Sequence, residues 1–235
     1  MTQNPQFERL LGEVELVRSR GDPDRMKLCV MSLVALLAAE PHSDRPRCAS
    51  PVIAAFARPI NDAMDRSTRQ RLRPFAPRIV GTSGSDEAAR RAILHRTLVA
   101  TLLPAVVTDL QASARGQDQA RAAELTAQLA GQLAHADEQQ QLRIAQDAQW
   151  DRAALIWPLR NALAAHRDGD GVQQAESVAR VLIAAVSCLA RPTRRDWYWD
   201  RAIEVLDELC DVAPSKAPAA AAAARSPEGR TAEPA

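Results

Sequence analysis

The chain has 235 residues and a formal net charge of +1, so no overall charge draws it toward nucleic acid or an anionic membrane. Hydrophobic residues make up 46% of the sequence but aromatic residues only 3%, and the apolar residues are mainly Ala, Leu and Val. Strand-rich proteins depend on aromatic and β-branched residues. The composition therefore predicts an all-α protein, an irregular bundle of roughly eight helices.

The N-terminal sequence predicts two helices in succession. Apolar residues at helical spacing over residues 7–17 indicate an amphipathic first helix that ends at Gly21. Asp22 and Pro23 then form a cap-plus-proline signal. We expect them to begin a second helix over about residues 24–39, which is apolar nearly all round and should lie in the middle of the bundle.

Further start signals follow toward the middle of the chain. A third helix should begin after Ser50, and Pro59 predicts a kink or break in it because proline lacks a backbone donor. A short helix and a proline-containing connector come next. Acidic residues directly after Ser85 favour another helix that runs to about Ala114, with a second kink expected at Pro104.

The remaining chain has a polar part, three helical patterns and a low-complexity end. Residues 117–148 are rich in Ala and Gln with a thin Leu stripe, which is typical of a long exposed helix or a helical hairpin. Helical patterns follow over 150–166, where Pro158 should interrupt the helix, over 172–189, and from Thr193 onward.

These patterns divide the chain into three parts. Residues 1–115 form an N-terminal helical region, and residues 116–211 form a C-terminal helical region that can also be continuous with the first. Residues 212–235 are a low-complexity Ala/Pro tail, a composition that predicts disorder.

The compartment is predicted from cysteine spacing and hydropathy. The start of the chain lacks the pattern of a signal peptide, and the most apolar run, residues 28–39, is too short to cross a bilayer. We therefore expect a cytoplasmic protein with free thiols, no membrane association and no cofactor. The four cysteines, which show no C-x-x-C spacing, are Cys29, Cys48, Cys188 and Cys210.

One proline-rich stretch, residues 38–62, concentrates reactive side chains. Cys48, His42 and Asp44 are the residue types of a nucleophile, a base and an orienting carboxylate. Three such groups on one stiff loop rarely come within hydrogen-bond reach of one another. With Cys29 they also lack the close ligand pairs of a zinc site. We predict no catalytic residue and no metal ligand here.

The favoured interpretation of this stretch is a polar clasp that joins the second and third helices. Arg–Asp pairs can hold a loop in register through bidentate hydrogen bonds. The alternative is that the same groups line a site for a small molecule or a metal. The residues concerned are Glu40, Asp44, Cys48, Arg58, Asn61 and Asp62.

Between Arg45 and Arg96 the chain has eleven arginines and four acidic residues, a local excess of seven positive charges. Phosphate contacts need such charge, but single-stranded nucleic acid also requires aromatic residues for stacking, and Phe75 is alone here. A solvated face or a docking surface for an acidic protein partner is therefore favoured over nucleic acid. The predicted surface comprises Arg66, Arg69, Arg71 and Arg73.

Trp197, Tyr198 and Trp199 concentrate aromatic residues at the start of the last helix. One of them should anchor the core. An exposed Trp would be a candidate hot spot for binding a partner, since Trp and Tyr dominate interface energetics. Trp197 and Trp199 are therefore added to the predicted interaction surface.

A motif between residues 29 and 82 consists of Cys29, Glu40, Ser43, Asp44, Pro46, Cys48, Pro51, Val52, Asn61, Asp62, Pro77, Arg78, Val80, Gly81 and Thr82. This motif resembles that of a group of uncharacterised proteins of actinobacteria, other GC-rich bacteria and their phages. In those proteins the position of His42 is often aromatic, which weakens His42 as a ligand or base. The resemblance implies a family but no activity.

The sequence thus ranks three functions. The first is a non-enzymatic helical protein-interaction or accessory module of a bacterial or phage system, with a protein partner not yet identified or with self-association. The second is a small-molecule- or metal-binding protein, enzymes included, that uses the Glu40–Cys48 loop with Arg58 and Asp62. The third is nucleic-acid binding through Arg66–Arg78.

Overall fold

A computed structural model describes residues 10–84, 86–113, 153–188 and 192–213. Over these residues the protein is mainly helical with one small sheet, so the predicted all-α bundle of roughly eight helices is confirmed. The predicted helix over 117–148, the boundary near residue 116 and nearly all of the predicted tail lie outside the described residues.

The helices bury their apolar faces in one hydrophobic core that draws on residues from Val14 to Leu209. A π-helical segment, Thr97–Leu102, joins two of them into one continuous rod. The helices are α1 (Val30–Leu37), α2 (Pro51–Ala63), α3 (Arg66–Gln70), α4 (Ala76–Ile79), α5 (Glu87–Arg96), α6 (Leu103–Ser113), α7 (Ala153–Asp168), α8 (Gly171–Cys188) and α9 (Pro192–Cys210). Within the described ranges, none of them is long and apolar enough to cross a bilayer.

A three-stranded sheet replaces part of the two N-terminal helices that the sequence predicts. Its strands are β1 (Glu15–Leu16), β2 (Gly21–Asp22) and β3 (Lys27–Leu28). The central strand β3 pairs parallel with β1 and antiparallel with β2. Residues 10–13 are helical as predicted, but the helix does not extend to residue 17, and the second helix begins at Val30 rather than at residue 24.

The start signal at Asp22 is real but begins only one turn of 3-10 helix, Pro23–Arg25. The Asp22 carboxylate accepts the backbone N–H of Asp24 at 3.0 Å. Met26 then adopts a left-handed conformation with φ of 52°, which ends the turn and leads into β3. Helix α1 starts later, where the Cys29 thiol caps it by accepting the Ser32 N–H at 3.3 Å.

Helix α2 begins where the sequence predicts, but it is not broken at Pro59. Ser50 caps it by accepting the Ile53 N–H at 3.3 Å. The helix continues through Pro59 to its last residue. Phe56 and Ile60 lie on either side of this proline and are both fully buried. Because tertiary packing supplies most of a helix's stability, burial of this face holds the helix together despite one missing hydrogen bond.

The π-helical segment keeps one face of the α5–α6 rod buried. In an α-helix each step of four residues advances about 40° beyond a full turn, so a buried row at this spacing drifts around the helix. The wider π turn reduces that drift. Pro104, where the sequence predicts a kink, lies just beyond this segment. The buried row consists of Leu94, Leu98, Leu102 and Val106.

Helices α7 to α9 complete the bundle, with α8 packed against α2, α5 and α7. Pro158 lies inside α7 without interrupting it, and α9 begins at Pro192 rather than being capped at Thr193. A Cβ on Gly171 would lie 2.8 Å from Val52 Cγ2, so glycine permits the close approach of α8 to α2. The predicted apolar stripe of α8 is buried at Ala175, Val178, Ala179, Leu182 and Val186.

Candidate functional site

The structure separates the six residues of the predicted clasp into two groups. In the first, Glu40 accepts the backbone N–H groups of Arg47 (2.7 Å) and Cys48 (2.8 Å). These bonds, led by the one from Arg47, lower the pKa of the Glu40 carboxyl. Glu40 therefore closes its own loop, which connects α1 to α2.

Arg58 and Asp44 lie near this loop but are weakly joined. Their closest charged atoms are 4.0 Å apart, and the two side chains are 22% and 40% exposed. Arg58 also donates from Nε to the carbonyl of Ala54 at 3.3 Å. A long, solvent-exposed ion pair contributes little to stability.

The second group, Asn61 and Asp62, joins the end of α2 to the N-terminal sheet. The fully buried Asn61 accepts the N–H of Val30 at 3.1 Å and donates to the carbonyl of Val17 at 2.9 Å. Asp62 accepts the N–H of Ser19 at 2.7 Å. Among the contacts of the described residues, none links this pair to Glu40 or Cys48.

The thiol of Cys48 is in an environment that favours its protonated form. Burial raises its pKa, and the carboxylate of Glu40 acts in the same direction. The thiolate is the reactive form of cysteine. The backbone carbonyl of Cys48 accepts the N–H of Ser83 at 2.9 Å, which ties the loop to the segment after α4.

A buried polar network that the sequence analysis missed lies beside the Glu40 loop. Ser50 donates from Oγ to Glu87 at 3.0 Å, and its N–H donates to Thr82 Oγ1 at 2.9 Å. Arg90 is fully buried and donates from Nε to the carbonyl of Leu209 at 3.0 Å. Arg90 Nη1 lies 3.5 Å from Glu87 Oε1, so the network joins the starts of α2 and α5 to the end of α9. Thr82 belongs to the motif residues, but no local signal distinguishes Arg90 from a surface arginine.

Two of the four arginines of the predicted surface donate hydrogen bonds to backbone carbonyls of the same chain. Arg69 is only 5% exposed and donates to the carbonyls of Asn61 (2.6 Å) and Met64 (2.5 Å) at the end of α2. Arg73 donates to the carbonyl of Leu11 at 3.1 Å. Placing Arg69 on an exposed surface is therefore incorrect, since it satisfies carbonyl groups at a helix end.

The other two surface arginines and their neighbours pair with carboxylates of the same chain. Arg66 contacts Glu15 at 2.7 Å and Arg71 contacts Asp200 at 2.7 Å. Arg78 and Arg96 pair with further carboxylates near the end of α9, namely Asp207, Asp211 and Glu208. Much of the positive charge predicted here is therefore neutralised within the chain, largely by α9.

Arg78 offers a test of this pairing. Replacing Arg78 with Ala removes its contacts with Asp207 and Asp211 and its position 5.2 Å from the Phe75 ring centroid. Because the side chain is partly exposed, we expect a loss of about 1 kcal/mol in the free energy of unfolding, smaller at high salt. Urea unfolding at low and high salt measures it. The control Arg25→Ala, a 78% exposed arginine, should change stability very little.

The two tryptophans of the predicted surface have different roles. Trp199 is 5% exposed and belongs to the core. Trp197 is half-buried, and its ring makes an edge contact with Tyr198 at a centroid distance of 4.9 Å. The guanidinium groups of Arg194 and Arg201 lie 4.5 and 5.5 Å from the Trp197 ring centroid.

Asp109 fixes this aromatic cluster to α6. Its Oδ2 accepts from Arg194 Nε at 2.8 Å and Nη2 at 2.6 Å, and from the Tyr198 hydroxyl at 2.8 Å. Burial and the neighbouring Asp109 raise the pKa of Tyr198 above its usual range, and the hydrogen bond from Arg194 to Asp109 raises the pKa of Arg194. Both donors therefore stay protonated, and their bonds to Asp109 hold the start of α9 against α6.

Within the described ranges, no group of three or more His, Cys, Asp or Glu residues could hold a metal ion. The family suggested by the motif between Cys29 and Thr82 remains a prediction. In comparison with known proteins, no family model matches the chain, and no curated protein or solved structure is significantly similar to it.

Proposed function

We propose that the protein is a non-enzymatic helical interaction module, an accessory component of a bacterial or phage system, that binds a protein partner through the start of α9. The contact surface, called the Trp197 surface below, consists of Arg194, Arg195, Trp197 and Arg201. The half-buried Trp197 between two guanidinium groups is the observation that carries this proposal.

The chemistry of the Trp197 surface supports this role. Trp and Arg are the residues most enriched among interface hot spots. An indole ring between Arg194 and Arg201 presents apolar area together with hydrogen-bond donors at its rim. The binding energy of such an anchor comes from burying the remaining exposed part of the ring in a partner's pocket.

The rigidity of the surface also supports binding. The Trp197 ring is supported by Tyr198, whose hydroxyl is fixed by Asp109. Trp199, two residues along, is anchored in the core. A side chain already held in its bound position loses little conformational entropy on association, and this favours affinity.

Two charged residues at the edge of the surface are free to meet a partner. Arg195 and Asp196 are both exposed, and neither forms an ion pair with another described residue. Charges at the rim of an interface guide association and select partners by complementarity. We therefore expect a partner with a carboxylate opposite Arg195.

We also propose that the protein acts in the cytoplasm. Cys29, Cys48 and Cys210 are free thiols in the described part of the chain, which supports a reducing environment. A second copy of the chain would be a partner of the same kind, and measurement of the molar mass in solution distinguishes self-association from binding to another protein.

Replacing Trp197 with Ala should strongly weaken partner binding. Loss of a hot-spot Trp costs about 2 kcal/mol or more in binding free energy, which lowers affinity by about 30-fold or more. The measurement is quantitative mass spectrometry of proteins captured, after nuclease treatment, by tagged wild type and tagged Trp197→Ala. Light scattering of both proteins reports any dimer.

The matched control is Leu36→Ala. Among the described residues, Leu36 is the one large hydrophobic residue that is exposed, at 38%. The variant Arg195→Glu reverses a rim charge without touching the ring. A near-stoichiometric partner, or a dimer, that is retained by Leu36→Ala and lost by the other two variants supports the proposal. A monomer without such a partner, or binding unchanged in Trp197→Ala, contradicts it.

A further inference from the structure

Two histidine rings meet where α7 packs near α5, far in sequence from the Trp197 surface. His95 on α5 and His166 on α7 form an edge contact with a centroid distance of 5.4 Å and an interplanar angle of 65°. Both ring nitrogens of His166 are buried and have no hydrogen-bond partner among the described residues. A neutral imidazole carries one N–H donor, so this ring is held with its donor unsatisfied.

The charges around His166 oppose its protonation. On α5 the facing groups are His95 and Arg91, and Arg91 contacts the uncharged Gln174 of α8 at 3.4 Å. On its own helix, Arg167 is paired with Asp168 at 2.8 Å. Burial first, then the two cationic neighbours on α5, lower the pKa of His166 to about 4.

We propose that this contact is an acid-sensitive joint, in which a proton on His166 separates the C-terminal end of α7 from α5. A charged imidazole would be repelled by His95 and Arg91 and would hold two unsatisfied N–H donors. Turning the ring into water removes both penalties. This device is separate from the Trp197 surface and does not depend on the proposed function.

The direction of the effect follows from proton linkage. In the open state His166 should have its ordinary pKa of 6.5, whereas in the closed state the pKa is about 4. The closed state is therefore most stable at neutral pH and loses stability as the pH falls below 6.5 toward 4. Between pH 7 and pH 4.5 the opening equilibrium should rise about 50-fold.

Hydrogen exchange of the full chain, read by mass spectrometry over peptides covering residues 163–167, tests the joint. After correction for the intrinsic pH dependence of exchange, wild type should open about 50-fold more at pH 4.5 than at pH 7. His166→Leu lacks the titrating group and should show no such rise. His95→Gln removes one of the groups that repel the charged ring, so the rise in opening between pH 7 and pH 4.5 should be smaller than in wild type.

His95 is exposed, so His95→Gln should fold normally. This variant tests the proposal if His166→Leu does not fold. Equal pH dependence in wild type and His166→Leu overturns the proposal, as does a rise in His95→Gln that is as large as in wild type. A parallel arm adds Zn²⁺ alone at neutral pH. Protection of the same amides by Zn²⁺, reversed by a chelator, would identify a metal site and overturn the acid-sensitive joint.

Discussion

Replacing Asn61 with Ala should lower the free energy of unfolding by about 3 kcal/mol. The substitution removes the hydrogen bonds of the side chain amide with two backbone groups, the N–H of Val30 and the carbonyl of Val17, and a third with Asp62 Oδ1. The Asn61 site is fully buried, so these two backbone groups would lose their partners in a place with little access to water. Urea denaturation monitored by circular dichroism measures the change.

Asp44→Ala is the matched control for this prediction, because Asp44 and Asn61 both belong to the predicted clasp. Asp44 has only a 4.0 Å contact with Arg58 and is partly exposed, so its loss should cost less than about 0.5 kcal/mol. A similar loss for both variants would show that the six residues act as one unit. A large loss for Asn61→Ala alone supports the division into two groups.

Replacing Gly21 with Ala should be as damaging, at about 3 kcal/mol. Gly21 has φ of +77°, a conformation that costs an L-residue about 1 kcal/mol or more. An added Cβ would also lie 2.2 Å from the carbonyl oxygen of Lys27 on the paired strand. Since this neighbour is backbone, β2 and β3 must separate to admit the methyl group. Thermal and urea unfolding report the loss.

Gly81→Ala separates the two causes. Gly81 has nearly the same conformation, with φ of +80°, but nothing lies within 4 Å of its added Cβ. Its substitution should therefore cost only the conformational part, about 1 kcal/mol. Equal losses at both positions would mean that the contact with Lys27 is not limiting and that the sheet accommodates a side chain at Gly21.

Helix starts with a local side-chain signal could be predicted from the sequence. Ser50 and Asp86 each cap a helix by accepting an N–H three residues later, from Ile53 and Ala89. Both caps involve residues close in sequence, so the pattern contains the whole interaction. The buried stripe of α8 is equally local, because helical spacing alone places its members on one face.

The N-terminal sheet could not be predicted in the same way. Each strand is only two residues long, too short for an alternating pattern. Its geometry depends on left-handed residues, among them Ser19 and Met26, which are not glycines. The Asn61 side chain, more than thirty residues away in sequence, completes the hydrogen bonding around it. Periodicity in residues 7–17 therefore indicated the helix seen at residues 10–13 but extended it too far, into β1.

Burial of arginine was the other feature that the sequence did not reveal. Arg69 and Arg90 each satisfy carbonyl oxygens, and for Arg90 the acceptor is Leu209, 119 residues away. An acidic partner for the arginine-rich segment was predicted as another protein, but helix α9 of the same chain supplies many of the carboxylates. Such pairings depend on the tertiary arrangement and leave no local pattern.

The roles of the two tryptophans could be predicted only in part from the sequence. The sequence predicted that one aromatic residue at the start of the last helix would be in the core and another exposed. Trp199 is buried and Trp197 is half-buried. Which residue takes which role depends on how α9 is rotated against α6, and that rotation is fixed by the bonds from Arg194 and Tyr198 to Asp109.

Hydroxyl-radical footprinting of Trp197 tests the interaction module most directly. The oxidation of Trp197 and Trp199 would be compared between the purified protein and the same protein in lysate of its host. We predict that Trp197 is oxidised in the purified protein and protected in the lysate, while the buried Trp199 is protected in both. Equal oxidation of Trp197 in both samples would show that no partner covers this surface and would contradict the proposed function.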